Sequence, residues 1–131
     1  ASDSYLERHG PISSLSDLSR HRMVGYIADM IFDKELDYLS ELGRDHVNLA
    51  SNSVAVQFNW LRAGAGVGIV HDFALPFAPS ISRVLADQFQ LKRSFYLIRH
   101  VDDRRLERMN RFAQALSHEL KKEVEYLESF A

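Results

Sequence analysis

NSVAVQFNWLRAGAGVGIVHDF, residues 52–73, decides how the rest of the chain is read. Glycines at 64, 66 and 68 resemble a phosphate-cradling loop, so a nucleotide site is the first possibility they raise. Such a loop follows a strand and opens a helix, because the pyrophosphate rests on the N-terminus of that helix. Here the order is reversed. An apolar run with Asn52 or Ser53 as its cap reads as a helix ending at the glycines, and VGIV (67–70) then reads as a strand. The third fingerprint position holds Ile69, and no Lys-Ser or Lys-Thr follows. The glycines therefore read as structural. Gly64 is a left-handed helix stop, and Gly66 and Gly68 let a central strand pass close under neighbouring helices. The helix over 52–63 has one clear polar stripe, Asn59 and Arg62. It is expected to be buried on most sides, with Trp60 in the core.

Outward from this unit, helices and strands alternate. Residues 2–9 read as a short helix, capped by Ser2 or Asp3, with Tyr5 and Leu6 inward and Gly10-Pro11 as its stop. SSLSDLSRH (13–21) reads as a helical turn with Leu15 and Leu18 inward. MVGYIA (23–28) reads as a strand, and DKELDYLSELG (33–43) as a helix with Leu36, Leu39 and Leu42 inward and Gly43 as its stop. HVNLAS (46–51) alternates like a short strand. RSFYLIRHV (93–101), rich in β-branched and aromatic residues, is the strongest strand candidate. Asp102 and Asp103 suit the start of a last helix of about seven turns. Its stripe is Leu106, Met109, Ala113, Leu116, Leu120, Val124 and Leu127, with Glu107 to Arg111 paired on the wet side. The pattern predicts an α/β fold with mixed strand directions.

Composition narrows the function. The chain of 131 residues has room for one domain; 46% of it is hydrophobic and 26% charged, as in an ordinary globular protein. A net charge of -2 gives no general pull toward nucleic acid or anionic membrane. Arg104, Arg105, Arg108, Arg111, Lys121 and Lys122 are interleaved with Glu107, Glu119, Glu123, Glu125 and Glu128, which reads as a solvated helix face. No apolar run approaches the roughly 18 residues of a membrane span, and no signal-peptide core opens the chain. The absence of cysteine removes disulfides and thiolate chemistry and fits a cytoplasmic location. The start, without Met and in helix-like sequence, suggests a fragment or processed chain.

Four features are candidates for chemistry. The six histidines include no i,i+4 helix pair and no HExxH, so no metal is expected. His71-Asp72, at the end of a strand, suits a ligand crevice, since strand ends line such crevices in open α/β sheets; a solvated loop pair is the competing reading. Ser53, His71 and Asp72 contain the residue types of a hydrolase triad, but no G-x-S-x-G elbow is present, and adjacent His and Asp are poorly placed to orient each other. Ser51, Asn52 and Ser53 open a helix whose free N–H groups can hold an anion or can simply be capped.

Three segments, in order, resemble the effector domain of LysR-type transcriptional regulators. SYLERHGPISSLSDLSRHRMVGY (4–26) is similar to the family's Y-L-x-x-H-G-x-P segment, here with Ile12 after Pro11. NSVAVQFNWLRAGAGVGIVHDFAL (52–75) is similar to its Ser-led helix followed by V-x-A-G-x-G-I-x-x-L-P. RSFYLIRHVDDRRLERMNRFAQAL (93–116) is similar to its last strand and returning helix. DMIFDKELDYLSELG (29–43) further resembles a subgroup with F-x-x-E-L-D-Y-L.

The resemblance implies an α/β, periplasmic-binding-protein-like fold (type 2), with residues 1–131 supplying the second subdomain and the segment returning to the first. It implies a small-molecule effector, with no cofactor and no catalysis. DNA would be bound only through an N-terminal winged helix-turn-helix that lies outside this sequence. Self-association as a dimer or tetramer is implied, and no membrane. Carried over by position, Asn52 and Ser53 would face the cleft, His71, Asp72 and Phe73 would lie near its rim, and Tyr26 is a weaker candidate from the end of the first strand. The family's L-P after the glycine strand is replaced by Val70-His71-Asp72-Phe73, with Pro76 later, a departure at the rim of the implied cleft. Two alternatives stay open: an oligomerisation module that binds nothing, and a small α/β enzyme using His71 and Asp72.

Overall fold

Ser2 starts the first helix. In the computed structural model, which describes residues 1–31 and 37–130, its hydroxyl accepts from the Tyr5 N–H and caps α1 (Asp3–His9). Gly10, at φ 88°, ends that helix. A 3-10 turn over Leu15–Arg20 follows, held by the Asp17 carboxylate, which accepts from the N–H groups of Ser13 and Ser14. β1 (Met23–Gly25), β2 (Leu49–Ala50), α2 (Val54–Arg62) and β3 (Val67–Gly68) come next. α3 (Glu107–Glu128) closes the chain.

The sheet order is β2-β1-β3 and both pairings are parallel, so the expectation of mixed directions is corrected for the described strands. β1 is the central strand, and the glycine strand β3 lies beside it on the outside. The one antiparallel contact among the described residues is an isolated bridge between Ser2 and Ile81.

Alternation along β1 sorts the core into two faces. Met23 pairs with Val67, and both belong to a buried cluster with Tyr5, Ile12, Leu18, Tyr38, Leu39 and Leu42. Val24 pairs with Gly68 on the opposite face, where α2 lies. A Cβ placed on Gly68 would stand 3.3 Å from both methyl carbons of Leu61, and one on Gly66 would strike the Arg22 carbonyl. The two glycines thus let α2 and β1 close on β3. Gly64, at φ 74°, ends α2 as expected, and its carbonyl accepts from Arg8 of α1 at 3.2 Å.

Other expectations are corrected. α2 is not buried on most sides: Gln57 and Leu61 are buried, whereas Val54 and Val56 are exposed and Trp60 is half-buried. Its main contacts are to β1 and β3, so one face alone is covered. Residues 93–100 form no strand. Phe95, Tyr96, Leu97 and Ile98 are exposed, with no ladder partner among the described residues. Asp102 and Asp103 sit in a separate 3-10 turn, Val101–Arg105, and α3 starts only after Leu106. α3 has 22 residues, about six turns, and packs mainly on the 3-10 turn Asp72–Phe77. Of its stripe, Ala113 is buried, while Leu106 and Leu120 stay exposed. The Glu107–Arg111 pair forms as expected. Of the helix expected over 33–43, residues 33–36 lie outside the described residues, as does most of the F-x-x-E-L-D-Y-L match. Leu39 and Leu42 are buried, and Gly43 has φ 64°.

A buried hydrogen-bond pair makes the fold sensitive to acid. The Tyr5 hydroxyl, on a residue 2% exposed, accepts from the Arg22 N–H at 2.9 Å and leaves its own proton for Nδ1 of His21 at 3.3 Å. Burial holds His21 below the ordinary histidine value of 6.5, and the charges of His9 and Arg20 add to this. The unfolded chain therefore takes up a proton that the folded chain resists, so stability falls as pH drops through and below 6.5. His71 is shifted the same way. The melting temperature is expected to fall between about pH 7.5 and about pH 5.5. His21→Asn, which keeps an acceptor near the Nδ1 position but does not titrate, should flatten that slope. An unchanged slope would show that His21 is not responsible.

Candidate functional site

Parallel strands bring their carboxyl ends to one edge, and ligand crevices of open α/β sheets form there. Tyr26 follows β1, Asn52 and Ser53 follow β2, and His71, Asp72 and Phe73 follow β3, so all six sequence candidates fall on this edge. They gather into two clusters, and no hydrogen bond joins the two among the described residues.

The first cluster spans the ends of β1 and β2. Asn52 Oδ1 accepts from the Ile27 N–H at 3.2 Å, tying the loop after β1 to the cap of α2. The Gly25 carbonyl accepts from the Ser51 N–H at 2.9 Å, and the Ser51 carbonyl from the side chain of buried Gln57 at 2.6 Å. Ser53 caps α2: its hydroxyl accepts from the Val56 N–H at 3.4 Å, and its own N–H donates to the Ser51 hydroxyl. Asn52 and Ser53 are both exposed, and the first N–H groups of α2 stand beside them. Tyr26 is half-buried, its ring meeting that of Tyr38 edge-on at 6.5 Å.

Sequence reasoning did not single out Tyr38. It is 4% exposed, and its hydroxyl has no hydrogen-bond partner among the described residues. Burial pushes its pKa up to about 12, with Tyr26 adding and Arg93 opposing. An unpaired buried hydroxyl is costly and rare.

The second cluster is aromatic. The His71 and Phe73 rings stack at 4.9 Å, with 6° between their planes. Phe95 leans on both, 5.3 Å from His71 and 6.2 Å from Phe73. Burial lowers the His71 pKa and Arg93 lowers it further, against Asp72 and Glu128, so the ring is neutral near pH 7. Asp72 turns away to Arg83, 3.6 Å distant. The stack and this ion pair give His71 and Asp72 separate partners, which is not the arrangement of a Ser-His-Asp triad. Phe95 was legible only as a strand residue, because its contact with His71 spans a long loop.

Two shallow depressions lie elsewhere. One of about 430 Å³ is lined by His9, Gly10, Pro11, Ser13, Asp17, Arg20 and His21, by the residues that lead into β1. The other, of about 350 Å³, lies between Leu15 and Arg44. The carboxyl edge itself is an open face. Among the described residues no group of three or more acidic, histidine or cysteine side chains is placed to hold a metal ion, and no helix is long and apolar enough to cross a membrane.

Comparison with family models matches residues 1–121 to the LysR substrate binding domain. No curated protein and no solved structure matches the chain.

Proposed function

We propose, from the premise that this chain belongs to the LysR substrate-binding-domain family, that it senses a small, anionic effector at the carboxyl edge of its sheet. Effector binding is then passed on as a change in DNA binding by a winged helix-turn-helix domain of the same regulator. Residues 1–131 supply the second subdomain and the return segment, and another subdomain supplies the facing wall. One observation carries this reading: Tyr26, Asn52, Ser53 and His71 stand on a single open edge of a parallel sheet. An open edge with an exposed helix cap and a half-buried aromatic stack suits one wall of a cleft.

The mechanism is a population shift. A ligand touching both walls favours the arrangement that brings them together, and it can shift the equilibrium only by its difference in affinity for the two states. Coupling between sites is typically about 1–3 kcal/mol, enough to alter DNA occupancy several-fold. Self-association supplies the relay, and the exposed Tyr96 and Ile98, with Phe112 on α3, are apolar surface available for it.

The test is a thermal-shift titration of the chain with a panel of small carboxylates, followed in parallel by light scattering. A sensor gains stability with ligand concentration, by about 2.7 kcal/mol at a hundredfold excess over Kd. The gain should shrink when Asn52 and Ser53 are both changed to alanine. A panel in which no compound raises the melting temperature, with unchanged association throughout, would overturn the sensing role.

A further inference from the structure

Residues 91–95 link the two clusters of this edge; Leu91 and Arg93 are half-buried, and Lys92, Ser94 and Phe95 are exposed. Both flanks are anchored. Leu91 packs on the cluster that contains Met23, Val67 and Tyr38, and Phe95 leans on His71 and Phe73. Arg93 is therefore held between the cluster at the end of β1 and the stack at the end of β3.

Its guanidinium has no carboxylate partner among the described residues, and its hydrogen bond there is to the carbonyl of its neighbour Lys92, at 3.2 Å. Its charge reaches both clusters, opposing the upward push on Tyr38 and depressing His71. Neither acid near His71 is paired with Arg93, and Asp72 pairs with Arg83. The unpaired Tyr38 hydroxyl lies against Gly25, where a Cβ would be 3.0 Å from it, at the carboxyl end of β1. A half-buried cation without an acid partner and a phenol without a hydrogen bond, both among the described residues, stand with three aromatic rings; together they are what a carboxylate on a flat apolar body would complete. A guanidinium takes a carboxylate through two parallel hydrogen bonds, and the rings supply the apolar contact.

We infer that Arg93 anchors the anion in the strand-end site, and that the ligand is a small carboxylate carrying a flat apolar group. This rests on the reading of the carboxyl edge as a ligand site and names the ligand class for it.

The chain is titrated with phenylacetate, with phenylacetamide (the ring without the charge) and with acetate (the charge without the ring), and amide resonances are followed by NMR. Phenylacetate should move the amides of Ile27, Asn52 and His71, and the other two probes should bind at least about tenfold more weakly. Arg93→Gln should weaken phenylacetate by about tenfold or more. Arg99→Gln, at an exposed arginine bonded to Asn110, should leave it unchanged. Arg93→Lys keeps the charge but loses the fork, so it should fall between wild type and the Gln variant. It decides the matter alone if the Gln variant loses its dispersed spectrum. Equal phenylacetate affinity in wild type and in the folded Arg93 variants overturns the anchor and leaves the strand-end site standing. Shifts of those amides by no probe in the wild-type chain overturn both.

Discussion

Replacing Gly66 with alanine is expected to cost about 3 kcal/mol or more, a large part of the 5–15 kcal/mol that holds a domain together. Gly66 is buried, and the next residue, Val67, donates its N–H to the Arg22 carbonyl at 2.8 Å. A Cβ at position 66 would run into that same carbonyl and stand 3.2 Å from a Val24 methyl. The obstacle is backbone at the entry to the central strand, so no side-chain rotation relieves it. Either β3 moves away and the β1–β3 pairing is lost, or β1 shifts and disturbs the core on both faces. Urea unfolding of Gly66→Ala beside Gly10→Ala measures the difference. Gly10 has positive φ, but a Cβ there meets nothing within 4 Å, so its variant should lose only about 1 kcal/mol. A Gly66 variant that unfolds at the wild-type midpoint would show that β3 does not pack as described.

Leu61→Ala is expected to cost about 2–5 kcal/mol, through lost transfer energy and the cavity left behind. Leu61 is 1% exposed and is the buried apolar residue of α2, seated over Gly68. The rest of the helix offers little to compensate, since Val54 and Val56 are exposed. The loss should therefore fall mainly on the attachment of α2, and with it on the positions of Asn52 and Ser53. Hydrogen exchange checks this: amides of α2 should lose protection more than those of α1. Val56→Ala, at an exposed site, serves as the comparison and should change stability by less than about 1 kcal/mol. Uniform loss of protection across the domain would contradict the localised role given to Leu61.

What was legible in the sequence was local chemistry. Ser2 and Ser53 as caps, the stops at Gly10 and Gly64, and the inward Leu15 and Leu18 depend on neighbours a few residues away. That the carboxyl-edge candidates follow strand ends was legible too, because a strand's end is marked by the turn that follows it. Strand direction was not, since it depends on which distant segments pair. RSFYLIRHV shows the limit most clearly: its composition suits a pleated, half-buried surface, yet among the described residues it has no partner strand, and propensity alone makes no ladder. α2 is less buried than its composition suggests for a related reason. An apolar helix is buried only as far as something covers it, and here the sheet covers one face. Arg93 and Tyr38 stayed hidden because their significance lies in what they meet, or fail to meet, across long stretches of chain.

The parallel sheet also governs when this chain can fold. Each pairing of β1 is long-range: Met23 meets Val67 and Val24 meets Leu49. The start of the chain is fastened later still, with the Ser82 N–H donating to the Ala1 carbonyl and the Asp3 N–H to that of Ser80. Loop closure must precede any reward from such contacts, which places the domain among slower folders of high contact order. During synthesis β1 has no strand beside it until Leu49 is made, and the contacts of Ala1 and Asp3 wait for Ser80 and Ser82. Until then the buried side chains of β1 stay uncovered.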